Sequence, residues 1–291
     1  MKLTNQSETN RHLGYPPDAR LLIINADDFG MCHATNAAIF RALTEGVVTS
    51  TTLMVPCAWA PEAMRLLAEN PSIPFGVHLT AIGDGLDYRW QPLTAREKVP
   101  SLVDETGHFY NSERMSEFFA QVRMDELEVE FRAQIEAVLA ANLMPTHLDW
   151  HSLRIHRKPE LLDLMLKLAR EYGLALRVRE RPLIEKVQRL GLPCNDYDFL
   201  DSYFLGDAGK IDRYIQVLRE LPAGLSEWAV HPGLEDAELL AIEGDGAKVR
   251  QADLDSMVSM QLREAIQQEG IILLSYRPLQ EVWQASEINP V

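Results

Sequence analysis

The chain has 291 residues, 46% of them hydrophobic, and a formal charge of −15 at neutral pH. That length suits two small domains or one α/β barrel of about 250 residues, and the apolar share supplies a sizeable core. The negative charge argues against general attraction to nucleic acid or an anionic membrane, both of which need basic surface. A neutral sugar or a small cationic substrate stays compatible with it. Cys32, Cys57 and Cys194 are widely spaced and form no C-x-x-C pair, so they read as structural thiols of a reducing compartment. Residues 1–20 read as a polar extension without the apolar stretch of a signal peptide. No apolar run approaches the roughly 20 residues needed to span a bilayer, and a cytoplasmic location is expected.

In chain order, Leu21–Ala26 is a strand, followed by a helix over Ala34–Glu45 with Ala38, Ile39, Ala42 and Leu43 on one face and Gly46 at its end. The β-branched run Val47–Val55 comes next, then a helix over Pro61–Glu69 and a short strand over Phe75–Leu79. From Thr80 to Ser116 the texture turns to Gly, Pro and charge, with Tyr88, Trp90, Phe109 and Tyr110 dispersed through it. A long irregular segment inside one domain is usually functional or mobile. Residues 80–116 therefore read as a loop insertion over the strand ends, or as a surface loop with its own aromatic cluster. A helix over Glu126–Ala141 precedes a strand over Thr146–Asp149. Pro159 starts a helix to Tyr172, and Leu174–Val178 is a strand. Ile211–Leu221 is a helix, Trp228–His231 a strand, Ala252–Gln268 a helix and Ile271–Tyr276 the last strand. Seven strands alternating with helices predict a single α/β domain over 21–291, a barrel-like parallel fold with right-handed crossovers.

The most informative stretch is Leu21-Leu22-Ile23-Ile24-Asn25-Ala26-Asp27-Asp28-Phe29-Gly30. A buried-type strand ends at two adjacent carboxylates, which repel one another and resist burial unless a positive charge compensates. A divalent metal is the simplest compensation: one carboxylate binds it and the other handles a proton. Neighbouring strand residues face opposite ways, so both reach one site only if the chain turns, and Gly30 is consistent with a turn.

Other polar groups end other apolar runs. His78 follows Gly76-Val77, and His147, Asp149 and His151 alternate on one strand face, an expensive arrangement unless they meet a metal, one another or a ligand. Trp150 lies between the last two. Pro232 disfavours a helical conformation at His231, placing its imidazole at a strand-to-loop corner for ligation or proton transfer. Arg277 follows the last strand, placed to balance site carboxylates, to hold substrate or to form an ordinary salt bridge, and His156 reads as a surface neighbour. Two imidazoles and a carboxylate leave positions open for water and substrate. Zinc is the first expectation for one divalent ion, with magnesium, manganese, cobalt, nickel or iron as alternatives. The sequence has no phosphate-cradling G-x-x-x-x-G-K-[ST] loop, no G-x-G-x-x-G after the first strand and no G-x-S-x-G elbow.

The ordered set Asn25–Gly30, Gly46–Thr52, Gly76–Leu79, Thr146–His151, His231–Gly233 and Ser275–Leu279 resembles the YdjC-like carbohydrate deacetylase family. The resemblance implies a fold related to polysaccharide deacetylases, a divalent metal, and often a homodimer. It also implies removal of an N-acetyl group from an amino sugar, oligosaccharide or sugar-bearing metabolite. It maps the metal ligands onto Asp28, His78 and His147, the catalytic base onto Asp27 and a general acid onto His231. Asp149, Trp150, His151 and Arg277 are left to contact substrate or support the ligands. Many members carry a His-x-His-x-His run where this chain reads Trp150-His151-Ser152-Leu153-Arg154-Ile155-His156, which makes the substrate wall its point of departure. An amidase or esterase acting on a non-sugar substrate, or a non-catalytic sugar-binding protein of the same fold, are the rival readings.

Overall fold

A computed structural model of the chain describes residues 7–153 and 158–288. The apolar run at the start of the chain forms the longest strand, β1 (Arg20–Phe29). It is followed by β2 (Ser50–Leu53), β3 (Phe75–Leu79), β4 (Ile82–Gly83), β5 (Tyr110–Asn111), β6 (His147–Trp150), β7 (Ala175–Leu176), β8 (Leu200–Asp201), β9 (Gly224–Val230) and β10 (Ile272–Leu274). Eight of these form one curled parallel sheet in the order β7-β6-β3-β2-β1-β9-β8, with β10 paired to β1. All seven expected strands are present in this sheet, where β8 is an addition; β4 and β5 lie outside it. Two residues are too few for a periodicity signal, which is why the sequence does not announce it.

Parallel strands need crossovers, and the helices His33–Glu45, Ala60–Glu69, Met124–Ala140, Glu160–Glu171 and Lys210–Arg219 supply most of them. The region expected as one helix over Ala252–Gln268 is two, Gly246–Met257 and Met260–Gln268. Ser259 stands between them and its side chain accepts from the Gln261 N–H, starting the second helix with an N-cap. Among the described residues, no helix is long and apolar enough to cross a membrane.

The two edge strands, β7 and β8, do not pair. A side chain spans the gap instead. Val178 N–H donates to Asn195 Oδ1 at 3.1 Å, and Asn195 Nδ2 donates to the carbonyls of Val178 and Tyr197, both at 2.6 Å. The amide bridges the two edges of the curled sheet, and the carboxyl ends of its strands surround one opening. Within residues 80–116, β4 pairs with β5 in a separate two-stranded sheet. Trp90, Phe109 and Tyr110 are buried there, while Asp84 and Gly85 reach the opening.

Candidate metal centre and active site

The end of β1 solves the problem of two adjacent carboxylates. Its register against β2 runs from Ala26↔Thr51 to Phe29↔Leu53, three steps on one strand against two on the other. The extra residue is a bulge, a device that re-aims side chains beside active sites. The turn falls on Asp28 itself, whose φ of +69° is a left-handed conformation rare outside glycine. Asp27 and Asp28 thus both line one cavity of about 870 Å³, and both are buried.

Asp28 Oδ1 lies 3.4 Å from His78 Nε2 and 3.3 Å from His151 Nδ1, yet it is buried without a hydrogen-bond partner. The far side of each imidazole is held by another carboxylate. His78 Nδ1 is 2.7 Å from Asp149 Oδ1, and His151 Nε2 is 2.8 Å from Asp84 Oδ1. A carboxylate accepts, so those nitrogens carry protons, and the opposite ring nitrogens face Asp28 Oδ1. Carboxylate–imidazole pairs of this kind orient metal ligands. Tetrahedral ligands about 2.0–2.1 Å from a zinc ion stand about 3.3–3.4 Å apart, which matches the two separations. Residues and spacing fit a divalent cation held by Asp28, His78 and His151. Burial opposes charge on both rings, yet Asp149 raises the His78 pKa to about 9. Asp84, with Asp28, raises that of His151 to about 10.

Asp27 is neutralised differently. Arg177 Nη1 and Nη2 donate to its two oxygens, each at 2.8 Å, and Asn25 Nδ2 donates to Oδ1 at 2.7 Å. The same guanidinium reaches Glu227 at 2.6 Å and Asp149 at 2.7 Å, and Tyr276 donates to Glu227 at 2.5 Å. Burial alone would raise the Asp27 pKa, but Arg177 outweighs it and holds the carboxyl far below the usual range. Asp27, His78 and Asp149 are also close enough to share an ion. Arg177 already occupies both aspartates, however, so the orphaned Asp28 oxygen marks the better place.

The other oxygen of Asp28 accepts from Arg250 Nη2 at 2.7 Å, and Arg250 also pairs with Glu243 at 2.6 Å. Arg250 enters from the helix Gly246–Met257 over Gly233, where a Cβ would fall 2.9 Å from Arg250 Cβ and 2.7 Å from Leu239 Cδ2. The glycine of His231-Pro232-Gly233 is the room Arg250 needs. His231 follows β9, half-buried, and lines the same cavity, with its ring edge-on to Tyr203 at 4.8 Å. Phe199, Tyr203, Phe204 and Arg179 line the cavity further out.

Of the residues expected at the site, the fold brings together Asp27, Asp28, His78, Asp149, Trp150, His151 and His231. Trp150 is buried, with its indole N–H donating to the Leu153 carbonyl at 3.0 Å. The fold does not bring His147 to Asp28. Its ring is buried and stacks on Tyr276 at 3.6 Å, with Nδ1 beside Thr146 Oγ1 at 3.0 Å and Nε2 unpartnered. His147 precedes Asp149 by two residues, about 7 Å lower on the strand, and His151 stands where it was expected. Burial keeps the His147 imidazole neutral, its pKa well below the ordinary value.

Arg277 is also outside the site, exposed and donating to the Pro71 and Ser72 carbonyls at 3.3 and 3.4 Å. The reason is register. β10 pairs only with Leu21–Ile23, so it ends about 13 Å short of Asp27 at 3.3 Å per residue. Arg154 and His156 lie outside the described residues.

Sequence reasoning missed Arg177, Arg250 and Asp84. Arg177 did leave a signal, a lone cation inside the apolar run Leu174–Val178. Arg250 and Asp84 left none, because neither stands near a motif.

Fold and site together define an α/β protein with a buried carboxylate–imidazole cluster, compatible with a divalent cation, at the carboxyl ends of a curled parallel sheet. The family model described as YdjC-like protein matches residues 21–268, and the chain belongs to that family. It is 33% identical over 267 residues to a carbohydrate deacetylase of Enterococcus faecalis, covering 89% of this chain and 97% of the relative. It is 31% identical over 261 residues to a chitooligosaccharide deacetylase of Yersinia enterocolitica, covering 88% and 98%. A solved structure from Enterococcus faecalis, titled as a putative cellobiose-phosphate cleavage protein, superposes with a TM-score of 0.78 at 31% identity, covering 90% of this chain and 99% of that one.

Proposed function

We propose that the protein is a metal-dependent hydrolase that removes an N-acetyl group from an amino sugar or sugar-bearing metabolite. The observation that carries this reading is the pair of adjacent carboxylates. One oxygen of Asp28 is left unpartnered between two oriented imidazoles, while Asp27 is held charged beside it. Relatives at about this identity that are named carbohydrate and chitooligosaccharide deacetylases support the scissile bond.

Asp28, His78 and His151 would hold the ion, with zinc favoured by two imidazoles and one carboxylate. When bound, such an ion polarises an amide carbonyl and acidifies water. Asp27 accepts a proton from the water that attacks the carbonyl carbon. Its clamp by Arg177 gives it weak proton affinity and fixes the direction from which that water approaches. As the C–N bond breaks, His231 gives a proton to the leaving nitrogen, and acetate and a free amine result. Tyr203 and Phe204 at the mouth offer apolar faces to a sugar ring.

The test is acetate release from a panel of N-acetylated sugars, simple amides and esters, with metal-free and metal-reconstituted protein. Metal-dependent release from a sugar supports the reading. Release only from amides or esters would move the activity to a non-sugar substrate, and tight sugar binding without turnover would make the protein a binding module.

A further inference from the structure

His231 is attached to more than its strand. Its Nδ1 lies 3.0 Å from Ser202 Oγ, and Ser202 Oγ lies 2.5 Å from Asp253 Oδ2. The same Asp253 oxygen accepts the His231 backbone N–H at 2.9 Å. We propose that Asp253 and Ser202 form a relay that fixes His231 in one tautomer, making both of them positioning residues for the proton His231 delivers. The catalytic half of this rests on the function proposed above; the tautomer does not.

The direction of each bond follows from counting hydrogens. Asp253 Oδ1 accepts from Tyr214 Oη at 2.6 Å and from Lys210 Nζ at 2.7 Å. With Ser202 and the His231 N–H on Oδ2, every contact to this carboxylate is a donor, so it acts as acceptor. The serine hydroxyl has a single hydrogen, and the short contact assigns it to Asp253. Its lone pair then accepts from His231, which places a hydrogen on Nδ1 in either charge state. Nε2 is left as the nitrogen that gains or gives a proton toward the cavity. When the C–N bond breaks, the imidazolium loses its Nε2 proton to the nitrogen and becomes the neutral Nδ1–H ring. Ser202 and Asp253 end the step as they began it.

The parts come from three places in the chain, which is why no motif contains them. Ser202 opens the short turn Ser202–Leu205, His231 follows β9, and Asp253 lies on the helix Gly246–Met257. Ser202, Asp253 and Tyr214 are fully buried, so water does not compete for these bonds. One carboxylate fixes both the main chain and the ring of His231, and the Tyr203 ring packs on it at 4.8 Å. Geometry of this kind removes the wrong tautomer before substrate arrives.

The experiment uses full-length, metal-loaded protein with 15N-labelled histidine, its His231 signal assigned by difference with His231→Gln. At a pH where the ring is neutral, the wild type is expected to show Nδ1–H. Ser202→Ala is expected to give a mixture containing Nε2–H and a kcat lowered about tenfold with KM unchanged. That is less than the roughly 10²–10⁴-fold of losing the acid itself. Ser202→Thr, which keeps a hydroxyl, is expected to recover most of kcat. Tyr214→Phe is the control for a merely structural role: it removes another Asp253 bond, lowers the melting temperature, and leaves tautomer and kcat unchanged. A neutral Nε2–H ring in the wild type, or Ser202→Ala with wild-type tautomer and kcat, overturns the relay. Full kcat in His231→Gln overturns its catalytic half and the proton-donor role above, while the tautomer still decides whether the relay exists.

Discussion

Asp27 and Asp28 are consecutive and both buried, yet the two sides of the site treat their charges in opposite ways. On the side of β7 and β9, Asp27 sits in a closed ionic network in which Arg177 answers Asp27, Asp149 and Glu227. On the side of β3 and β6, Asp28 has one oxygen tied to Arg250 and the other facing two imidazole nitrogens without a hydrogen-bond partner. A covalently attached cation never leaves, so the first carboxylate is held charged in the resting protein. The second has the surroundings of the proposed exchangeable cation. Two identical side chains acquire different chemistry because a single bulge sends them to different neighbours.

The sharpest way to break that comparison is to remove the exchangeable side. His151→Ala is expected to reduce bound metal from one per chain to near zero and to abolish turnover. His147→Phe, which keeps a ring against Tyr276, is expected to retain full metal occupancy. Metal analysis after dialysis checks both. Loss of metal in His147→Phe with retention in His151→Ala would exchange their roles and restore the ligand set implied by family resemblance.

Removing the proposed proton acceptor is expected to leave the proposed metal side intact. Asp27→Asn is expected to lower kcat by about 10²–10⁴-fold while metal stoichiometry stays at one. Steady-state kinetics beside metal analysis separates the two effects. Near-normal turnover would show that Asp27 serves only the ionic network.

A smaller effect sharpens the metal side. Asp84 holds His151 from outside the centre, so Asp84→Asn is expected to weaken metal affinity by about 10–100-fold without abolishing binding. Competition with a chelator measures it. Unchanged affinity would mean that His151 is oriented by packing against Trp90, whose ring lies 5.3 Å away, and not by the carboxylate.

The same contrast explains what could be read before the fold was known. Strands such as Phe75–Leu79 are legible because a buried parallel strand is a short apolar run, and Asp27, Asp28, His78 and His151 stand out as charges where such runs end. β8 is not legible because two residues carry no period, and Arg250 is not because its partner Asp28 lies 222 positions away. His147 and His151 share a strand face in sequence. Only depth along the curled sheet separates the candidate ligand from the stacked core ring, and depth is set by register with β3, where His78 lies opposite Asp149. Arg277 misleads for the same reason, since the offset of β10 is invisible in its own residues.

The last test asks whether Asp27 is neutralised as completely as its contacts imply. Its folded pKa is depressed, chiefly by Arg177 against the effect of burial. Its contribution to stability is therefore complete above the unfolded value of about 3.9 and is lost as pH falls toward the folded value. Between those limits the unfolded chain binds a proton at this site and the native protein does not. Stability then falls by up to about 1.4 kcal/mol per pH unit from this group alone. Asp27→Asn is less stable throughout, because Arg177 loses a partner, but its stability should fall less steeply with acid by up to that amount. Denaturant unfolding at intervals from pH 5 to 3 gives both slopes, and the difference in slope isolates Asp27 from the other buried carboxylates. Parallel slopes would mean that Asp27 takes up its proton alike in both states, and the resting charge attributed to the Arg177 clamp would not exist.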